Sequence, residues 1–255
     1  MAGNKGRAVL VLALLAPLLA GCGGNWGWHV VNPADPRGQA NLLFMLSGFW
    51  ATVSLSLAAM ALSVALGLGV ALMGLARARP LRWANRVYVE LFRAIPILVM
   101  ILWVFYGLPV VLDIRLGVFM AAMLAIAVCD SAFEAEIFRA GIQSVEQGQR
   151  EAAMALGLSP WQRMRFVILP QAIRRVLPPM ANQFIYVVKM SSLASVIGYQ
   201  EMTRKANELV VTVFRPLEIY TILILEYLVL ILLISAAVRR LERRMGADQS
   251  LRRES

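Results

Sequence analysis

Ionisable side chains lie within apolar stretches of this sequence, where an isolated charge is costly. Four carboxylates interrupt such stretches: Asp130, Glu134, Glu136 and Glu226. Charged groups at membrane depth usually pair with one another, face water or mark a path for ions or substrates. The first three could relay protons. Arg139 offers them a partner, however, and we favour a charged cluster where this helix leaves the membrane.

The stretch from Pro179 to Ile197 is the most polar of the apolar runs. It contains a lysine among hydroxyl and amide side chains: Asn182, Gln183, Lys189, Ser191, Ser192 and Ser195. Such groups need partners in protein or water at membrane depth, which makes this stretch a candidate lining of a pathway. The alternative, that they only bond to neighbouring helices, stays open. The candidate pathway residues are Lys189, Ser191, Ser192 and Glu226.

The composition indicates a membrane protein. The chain has 255 residues, of which 60% are hydrophobic, and several long runs carry almost no charge. This predicts an all-α, polytopic helical membrane protein, since the alternating pattern of a membrane barrel is absent. The net charge of +10 comes from arginines between the runs, which favours membrane orientation over nucleic-acid binding. No phosphate-binding loop, dinucleotide turn or metal-ligand set is apparent, so we expect neither a cofactor nor a metal, and no ATPase activity.

Five apolar runs predict five core spans, the first of them running from outside to inside. They are Leu42–Leu75, Val87–Leu108, Leu116–Phe138, Pro179–Ile197 and Leu217–Val238. Arginines follow the first run and the last, which marks those ends, and the C-terminus, as cytoplasmic. A stripe of small residues on the first run predicts a face for close helix packing: Ser54, Ala58, Ala61, Ala65 and Gly69.

The N-terminal part of the chain has two possible interpretations. Residues 1–22 have a short basic start and a short apolar core, which is typical of a signal sequence or an anchor. They end in Leu-Ala-Gly-Cys, similar to a bacterial lipoprotein cleavage box in which Cys22 would carry the lipid. Both interpretations stay open. Residues 23–41 are expected to form a polar linker outside the membrane, and residues 240–255 a cytoplasmic tail.

The polar interruption from Arg139 to Pro178 predicts two short helices joined by a tight turn. Residues 151–156 are nearly all strong helix formers, and Gly157 can take the left-handed conformation that ends a helix. Ser159 is a good N-cap, Pro160 suits the first helical position, and Gln162 completes a capping box. Its arginines and the number of preceding spans both place this hairpin in the cytoplasm, where it would be a docking surface.

The hairpin sequence resembles a known motif. Glu151-Ala152-Ala153 with Gly157, and then Val167-x-Leu169-Pro170, is similar to the EAA loop of ABC importer permeases. Further blocks resemble the polar amino-acid branch, the histidine/glutamine-type permeases: residues 91–96, 136–145, 189–193 and 215–220. The resemblance covers roughly residues 45–240, which we assign to a permease domain at 45–239. Met190 departs from the family pattern, as does Glu226.

The resemblance implies a permease subunit of an ATP-driven amino-acid importer in the bacterial inner membrane. The residues that would couple it to a separate ATPase are Glu151, Ala152, Ala153, Gly157, Leu169 and Pro170. The implied partners are a dimer of ATPase subunits, a second permease copy or paralogue, a periplasmic or lipid-anchored amino-acid binding protein and membrane lipid, but no nucleic acid. The alternative function is an autonomous ion-coupled carrier or channel, although no convincing repeat supports it.

Overall fold

The structure, a computed structural model, describes residues 26–244, and every regular element in that range is helical. The predicted all-α fold is confirmed. A 3₁₀ turn at Trp28–Val31 precedes the first α-helix. The α-helices are α1 (Pro36–Leu46), α2 (Phe49–Leu75), α3 (Arg79–Ala94), α4 (Ile97–Leu102), α5 (Leu108–Leu112), α6 (Val118–Gln143), α7 (Gln147–Ala155), α8 (Pro160–Arg163), α9 (Leu169–Met190), α10 (Met202–Val213) and α11 (Pro216–Arg244).

Two π-helical segments and a second 3₁₀ segment connect some of these helices. The π-helical segments are Trp103–Gly107 and Met164–Ile168, and the 3₁₀ segment is Ser191–Ile197. Each π-helical segment runs directly into a helix that begins Leu-Pro. Proline has no N–H to donate and its ring crowds the preceding turn, so a locally wider turn relieves both problems.

Within residues 26–244, three helical stretches are long and apolar enough to cross a membrane. They are Pro36–Leu75, which combines α1 and α2, Val118–Gln143 and Pro216–Arg240. A fourth exists if the bent pair Arg79–Ala94 and Ile97–Leu112 counts as one span. By length and apolarity, the described residues therefore contain three or four candidate spans rather than the predicted five.

The predicted span Pro179–Ile197 is the one that falls short. It is divided between the second half of α9 and the 3₁₀ segment Ser191–Ile197. Helix α9 begins ten residues before the predicted start, and its first half carries Arg174 and Arg175. Charges in that half lower the mean hydropathy of the helix, although its later residues pack into the bundle.

The predicted span Val87–Leu108 is sharply broken rather than gently bent. Helices α3 and α4 meet at 98°. Ile95, directly before Pro96, has the extended conformation φ −79°, ψ 125°. Proline disfavours the helical conformation of the residue before it, which explains why the break falls here.

Helices α2 and α6 form the most extensive contact of the bundle. Small residues allow the close approach: Ser56, Ala59, Ser63 and Gly67 of α2 are buried, as are Ala122, Ala125, Cys129 and Ala132 of α6. The stripe predicted on α2 does not form this contact, because Ala61, Ala65 and Gly69 are exposed. Helix α2 has small residues on two faces, and periodicity alone does not say which face meets α6.

The expected polar linker at residues 23–41 is folded in its described part. Helix α1 begins at Pro36, and the Asp35 side chain caps it by accepting a hydrogen bond from Arg37 N at 2.8 Å. The N–H of Gly27 donates to the buried Glu218 carboxylate at the start of α11. These bonds fix the described N-terminal residues against the last helix.

Helix α10 lies in the segment at 199–216 that the sequence predicts to be outside the membrane. The fully buried Glu201 carboxylate caps it, accepting from Thr203 N at 2.9 Å and Arg204 N at 2.7 Å. Tyr227 of α11 donates its hydroxyl to the same carboxylate at 3.0 Å. Burial raises the pKa of the Glu201 carboxyl, while these hydrogen bonds lower it in part. The capping group thereby also links α10 to α11.

Candidate functional site

The turn after α7 is closed by backbone hydrogen bonds around a left-handed glycine. Gly157 has φ +74°. Its N–H donates to Met154 O at 2.9 Å, and Leu158 N donates to Ala153 O at 3.1 Å. This pair of bonds is the Schellman motif, which satisfies carbonyls that the helix end leaves free. The expected role of Gly157 in the turn is confirmed.

The helix that follows the turn has a complete capping box. Gln162 N donates to Ser159 Oγ at 3.3 Å, and Ser159 N donates to Gln162 Oε1 at 2.8 Å. Pro160 occupies the first helical position. The capping box predicted from Ser159 and Gln162 is therefore confirmed, and both sides of the turn are fixed by local bonds.

The second helix of the hairpin does not end after a few turns. Leu169 N donates to Met164 O, five residues back, so the π-helical segment Met164–Ile168 joins α8 to α9 without a break. The prediction of two short helices is wrong on this point. Leu169 and Pro170 lie at the start of α9, where the missing N–H of Pro170 accounts for the wide turn. Both side chains are exposed.

The hairpin presents large apolar side chains to solvent. Leu156 is 78% exposed, Trp161 62% and Phe166 64%. Ala153 on the opposite face of α7 is buried, whereas Glu151 and Ala152 are exposed. Neighbouring exposed apolar residues of this size are typical of a surface that another protein covers.

Arginines tie the base of the hairpin to the end of α6. Arg150 Nη2 donates to Ile142 O at 2.6 Å, and Arg175 Nη1 donates to Ser144 O. A buried apolar cluster of Val145, Ile168 and Ala172 lies beside these bonds. Since the last carbonyls of α6 are satisfied by these arginines, the hairpin and α6 are held together.

The candidate pathway residues lie in two separate parts of the bundle, the end of α9 and α11. Their hydrogen bonds in the described structure stay within their own segment. Ser191 Oγ donates to Val188 O at 2.8 Å, and Ser192 Oγ donates to Lys189 O at 2.7 Å. Lys189 is exposed. Glu226, on α11, has its Oε2 buried without a hydrogen-bond partner. No ion pair connects Lys189 to Glu226 within residues 26–244.

A buried polar cluster lies between α2, α6 and α9. Asp130, Glu134 and Gln183 are candidates from the sequence, which does not connect the two acids to Gln183 or to Ser63. Asp130 accepts hydrogen bonds from Ser63 Oγ at 2.6 Å and from Gln183 Nε2. One turn further along α6, Glu134 is fully buried and neither of its carboxylate oxygens has a partner. The expected charged cluster is limited to Glu136 and Arg139, whose side chains pair at 2.6 Å.

The sequence carries a usable signal for the buried cluster. Polar side chains at membrane depth on separate helices tend to bond to one another. Ser63, Asp130 and Gln183 each interrupt an apolar run. Cys22, the candidate lipidation site, lies outside the described residues together with the rest of residues 1–25.

The chain is similar in sequence to known membrane transport proteins. Residues 63–247 match the family described as binding-protein-dependent transport system inner membrane component. The chain is 44% identical over 160 residues to the glutamine transport system permease protein GlnP of Escherichia coli (strain K12), covering 62% of this chain and 73% of that protein. It is 39% identical over 205 residues to the probable glutamine ABC transporter permease protein GlnM of Bacillus subtilis (strain 168), covering 80% and 94%.

Solved structures show the same fold. A chain from the crystal structure of an amino acid ABC transporter with histidines superposes with a TM-score of 0.75 and 38% identity, covering 79% of this chain and 94% of that one. A chain of the MetNI methionine ABC transporter in an inward-facing conformation gives a TM-score of 0.69 at 22% identity, covering 81% and 98%.

Proposed function

This chain belongs to the family of inner-membrane components of binding-protein-dependent transport systems, and we propose that its hairpin at residues 147–168 is where a separate ATPase docks. The chain is a permease subunit of an amino-acid ABC importer. Glutamine is the substrate named for two of its relatives, and we propose an amino acid of this polar class as the substrate here.

The single observation that carries the docking proposal is the geometry of the hairpin. Its turn is fixed on both sides by local hydrogen bonds, and Leu156 and Trp161 project from it into solvent. A surface held in this way can transmit a displacement. The contact would be formed by Glu151 and Ala152 with the turn at Gly157. The buried Ala153 would support them from within the hairpin, and Leu169 and Pro170 would set the direction of the following helix.

The remaining roles follow from this docking. ATP hydrolysis would belong to a dimer of partner ATPase subunits, and the hairpin and the C-terminal tail at 240–255 would lie in the cytoplasm. The segment at 199–216 would face an external amino-acid binding protein. A second permease copy or paralogue would complete the pathway. We assign the permease domain to residues 45–239, and residues 1–22 to a signal or anchor segment with Cys22 as the lipid acceptor if that segment is cleaved.

Four residues are proposed to line the pathway. Lys189, Ser191 and Ser192 lie where α9 passes into a 3₁₀ segment, and Glu226 lies within α11. The exposed ammonium of Lys189 and the unpartnered oxygen of Glu226 are the groups there that a zwitterionic substrate could bind. The hydroxyl of Ser192 already donates within its own helix, so it would offer lone pairs to a substrate. Ser191 is fully buried in this structure and would have to become accessible to do the same.

Uptake by vesicles that contain this chain, an ATPase and a binding protein tests the docking proposal. We expect Gly157→Asp to lower ATP-driven glutamine uptake at least about tenfold, because it adds a charged side chain to the turn at the proposed contact and strains a backbone conformation that favours glycine. Gly117→Asp is the matched control, since it adds the same charge outside the hairpin at a position with open space around a Cβ.

Two results would contradict the docking proposal. One is normal uptake by the Gly157→Asp protein at equal membrane insertion. The other is uptake by this chain alone, driven by an ion gradient without ATPase or ATP. The second result would favour the autonomous carrier, whose supporting feature is the buried acid cluster of Asp130 and Glu134.

A further inference from the structure

A polar cavity of about 510 Å³ opens at the base of the hairpin, beside the exposed apolar tip. Its wall is formed by the end of α6, by one face of α7 and by Arg163 at the end of α8. The charged groups in this wall are Arg150 and Arg163, with Glu146 and Glu151. The cavity therefore spans both helices of the proposed docking element.

The two guanidinium groups are not neutralised by the nearby acids. Neither arginine forms an ion pair with Glu146 or Glu151 in the described part of the chain. Glu151 instead accepts a hydrogen bond from Gln147 Nε2 at 2.7 Å. Arg150 Nη2 is committed to the Ile142 carbonyl, while the Nε atoms of Arg150 and Arg163 are buried without an acceptor.

An anionic group would satisfy these donors. At Arg163 the guanidinium presents Nε–H and one Nη–H side by side, a spacing that matches the two oxygens of a carboxylate. At Arg150, whose Nη2 already donates to Ile142 O, the unpartnered donor is Nε–H. Phosphate fits the same fork but carries more negative charge, and Glu146 and Glu151 would repel it more strongly. The two acids also disfavour a broad anionic membrane surface, so the charge pattern selects a single carboxylate.

We propose that the cavity between Arg150 and Arg163 receives an aspartate or glutamate side chain of the ATPase subunit. This inference rests on the docking proposed above and adds the chemistry of one contact to it. The apolar tip with Leu156 and Trp161 would supply area, and the cavity would fix the register of the ATPase on the hairpin.

Binding of the purified ATPase subunit to the full chain in nanodiscs tests the inference. We expect Arg150→Gln and Arg163→Gln each to weaken binding about tenfold, as is typical when one partner of a desolvated charge pair is removed. The wild-type affinity should fall with added salt, and the double variant should lose most of that dependence. Arg174→Gln is the matched control, because Arg174 is exposed on α9 and does not line the cavity.

A double-mutant cycle identifies the carboxylate. Acidic residues on the ATPase surface are changed one at a time to the amide, alone and together with Arg150→Gln. One of them should add little further loss in the Arg150→Gln background, while the others act independently. Unchanged binding by the Arg150→Gln, Arg163→Gln double variant would overturn the inference. The inference would also be overturned if the double variant lost ATPase binding only in nanodiscs that contain anionic lipid. That result would mean that the cavity binds a lipid headgroup.

This experiment distinguishes failure of the carboxylate contact from failure of the docking proposal. Leu156→Asp changes the apolar tip and leaves the cavity wall intact. If Leu156→Asp abolishes ATPase binding while the arginine variants bind normally, docking on the hairpin stands and the carboxylate contact is wrong. If none of these variants affects ATPase binding, the docking proposal itself is wrong.

Discussion

The hairpin at 147–168 and the contact between α2 and α6 hold their polar groups in opposite ways. In the hairpin, the bonds that shape the turn join residues no more than five positions apart, such as Leu158 N and Ala153 O. Between α2 and α6, Ser63 bonds to Asp130 across 67 positions. The hairpin places large apolar side chains in solvent, whereas the helix contact buries carboxylates among small residues.

The difference shows which parts of the molecule are determined locally. A capped turn forms from its own sequence, so its shape can persist while the helices around it move. The polar cluster of α2 and α6 exists only once the bundle has assembled, because each partner comes from a different helix. Substitutions should therefore act globally in the helix contact and locally in the hairpin.

The largest effect is expected from Gly67→Leu. A Cβ at position 67 would lie 2.5 Å from Glu134 Cβ and 2.9 Å from Ser131 O, so α2 and α6 must separate. We expect a loss of about 3 kcal/mol or more in stability, measured as thermal unfolding in detergent. Gly69→Leu is the control two positions along, where a Cβ meets nothing within 4 Å. Equal melting temperatures for the two variants would contradict the close helix contact.

A smaller effect is expected from Ser63→Ala. The change removes one donor from the buried Asp130 carboxylate, and we expect a loss of about 1–2 kcal/mol. Ser54→Ala on the same helix removes a hydroxyl that bonds only to Ala51 O, and it should cost less than about 0.5 kcal/mol. Similar unfolding curves for the two variants would show that the Ser63–Asp130 bond contributes no stability.

The smallest effect is expected from Ser159→Ala, and it should be confined to the hairpin. Loss of an N-cap costs about 1 kcal/mol, which corresponds to about fivefold faster hydrogen exchange at the Gln162 amide. Ser159→Asp retains a side-chain acceptor and should exchange close to the wild-type rate. A change in the global melting temperature as large as that of Ser63→Ala would remove the distinction between the two regions.

The sequence predicts the hairpin well because its information is local. Gly157 takes the left-handed conformation, and Ser159 and Gln162 form the expected capping box. The prediction of two short helices fails at Pro170, where the second helix does not end. A π-helical turn accommodates the proline, and the helix continues to Met190. Widening a turn depends on the packing around it, which a local pattern does not contain.

The bundle is harder to predict, since several faces of one helix satisfy the same pattern. Helix α2 has two stripes of small residues, and the stripe through Ser63 and Gly67 is the one that meets α6. The predicted span Val87–Leu108 is divided by a 98° break at Pro96. The acidic residues of α6 lie in two different environments. Glu136 pairs with Arg139, as expected, whereas Asp130 and Glu134 are fully buried. Which acid is buried depends on the position of α2.

The unbroken course of helix from Pro160 through the π-helical turn to Met190 has a mechanical consequence. Its length is on the order of 45 Å at roughly 1.5 Å per residue. One end carries the capping box and the other carries Lys189. Pro178 and Pro179 lie inside this helix. Moving as one body, it would shift one end by about 8 Å relative to the other for a tilt of about 10°. Under the docking proposed above, this helix would connect the hairpin that meets the ATPase to the polar segment around Lys189.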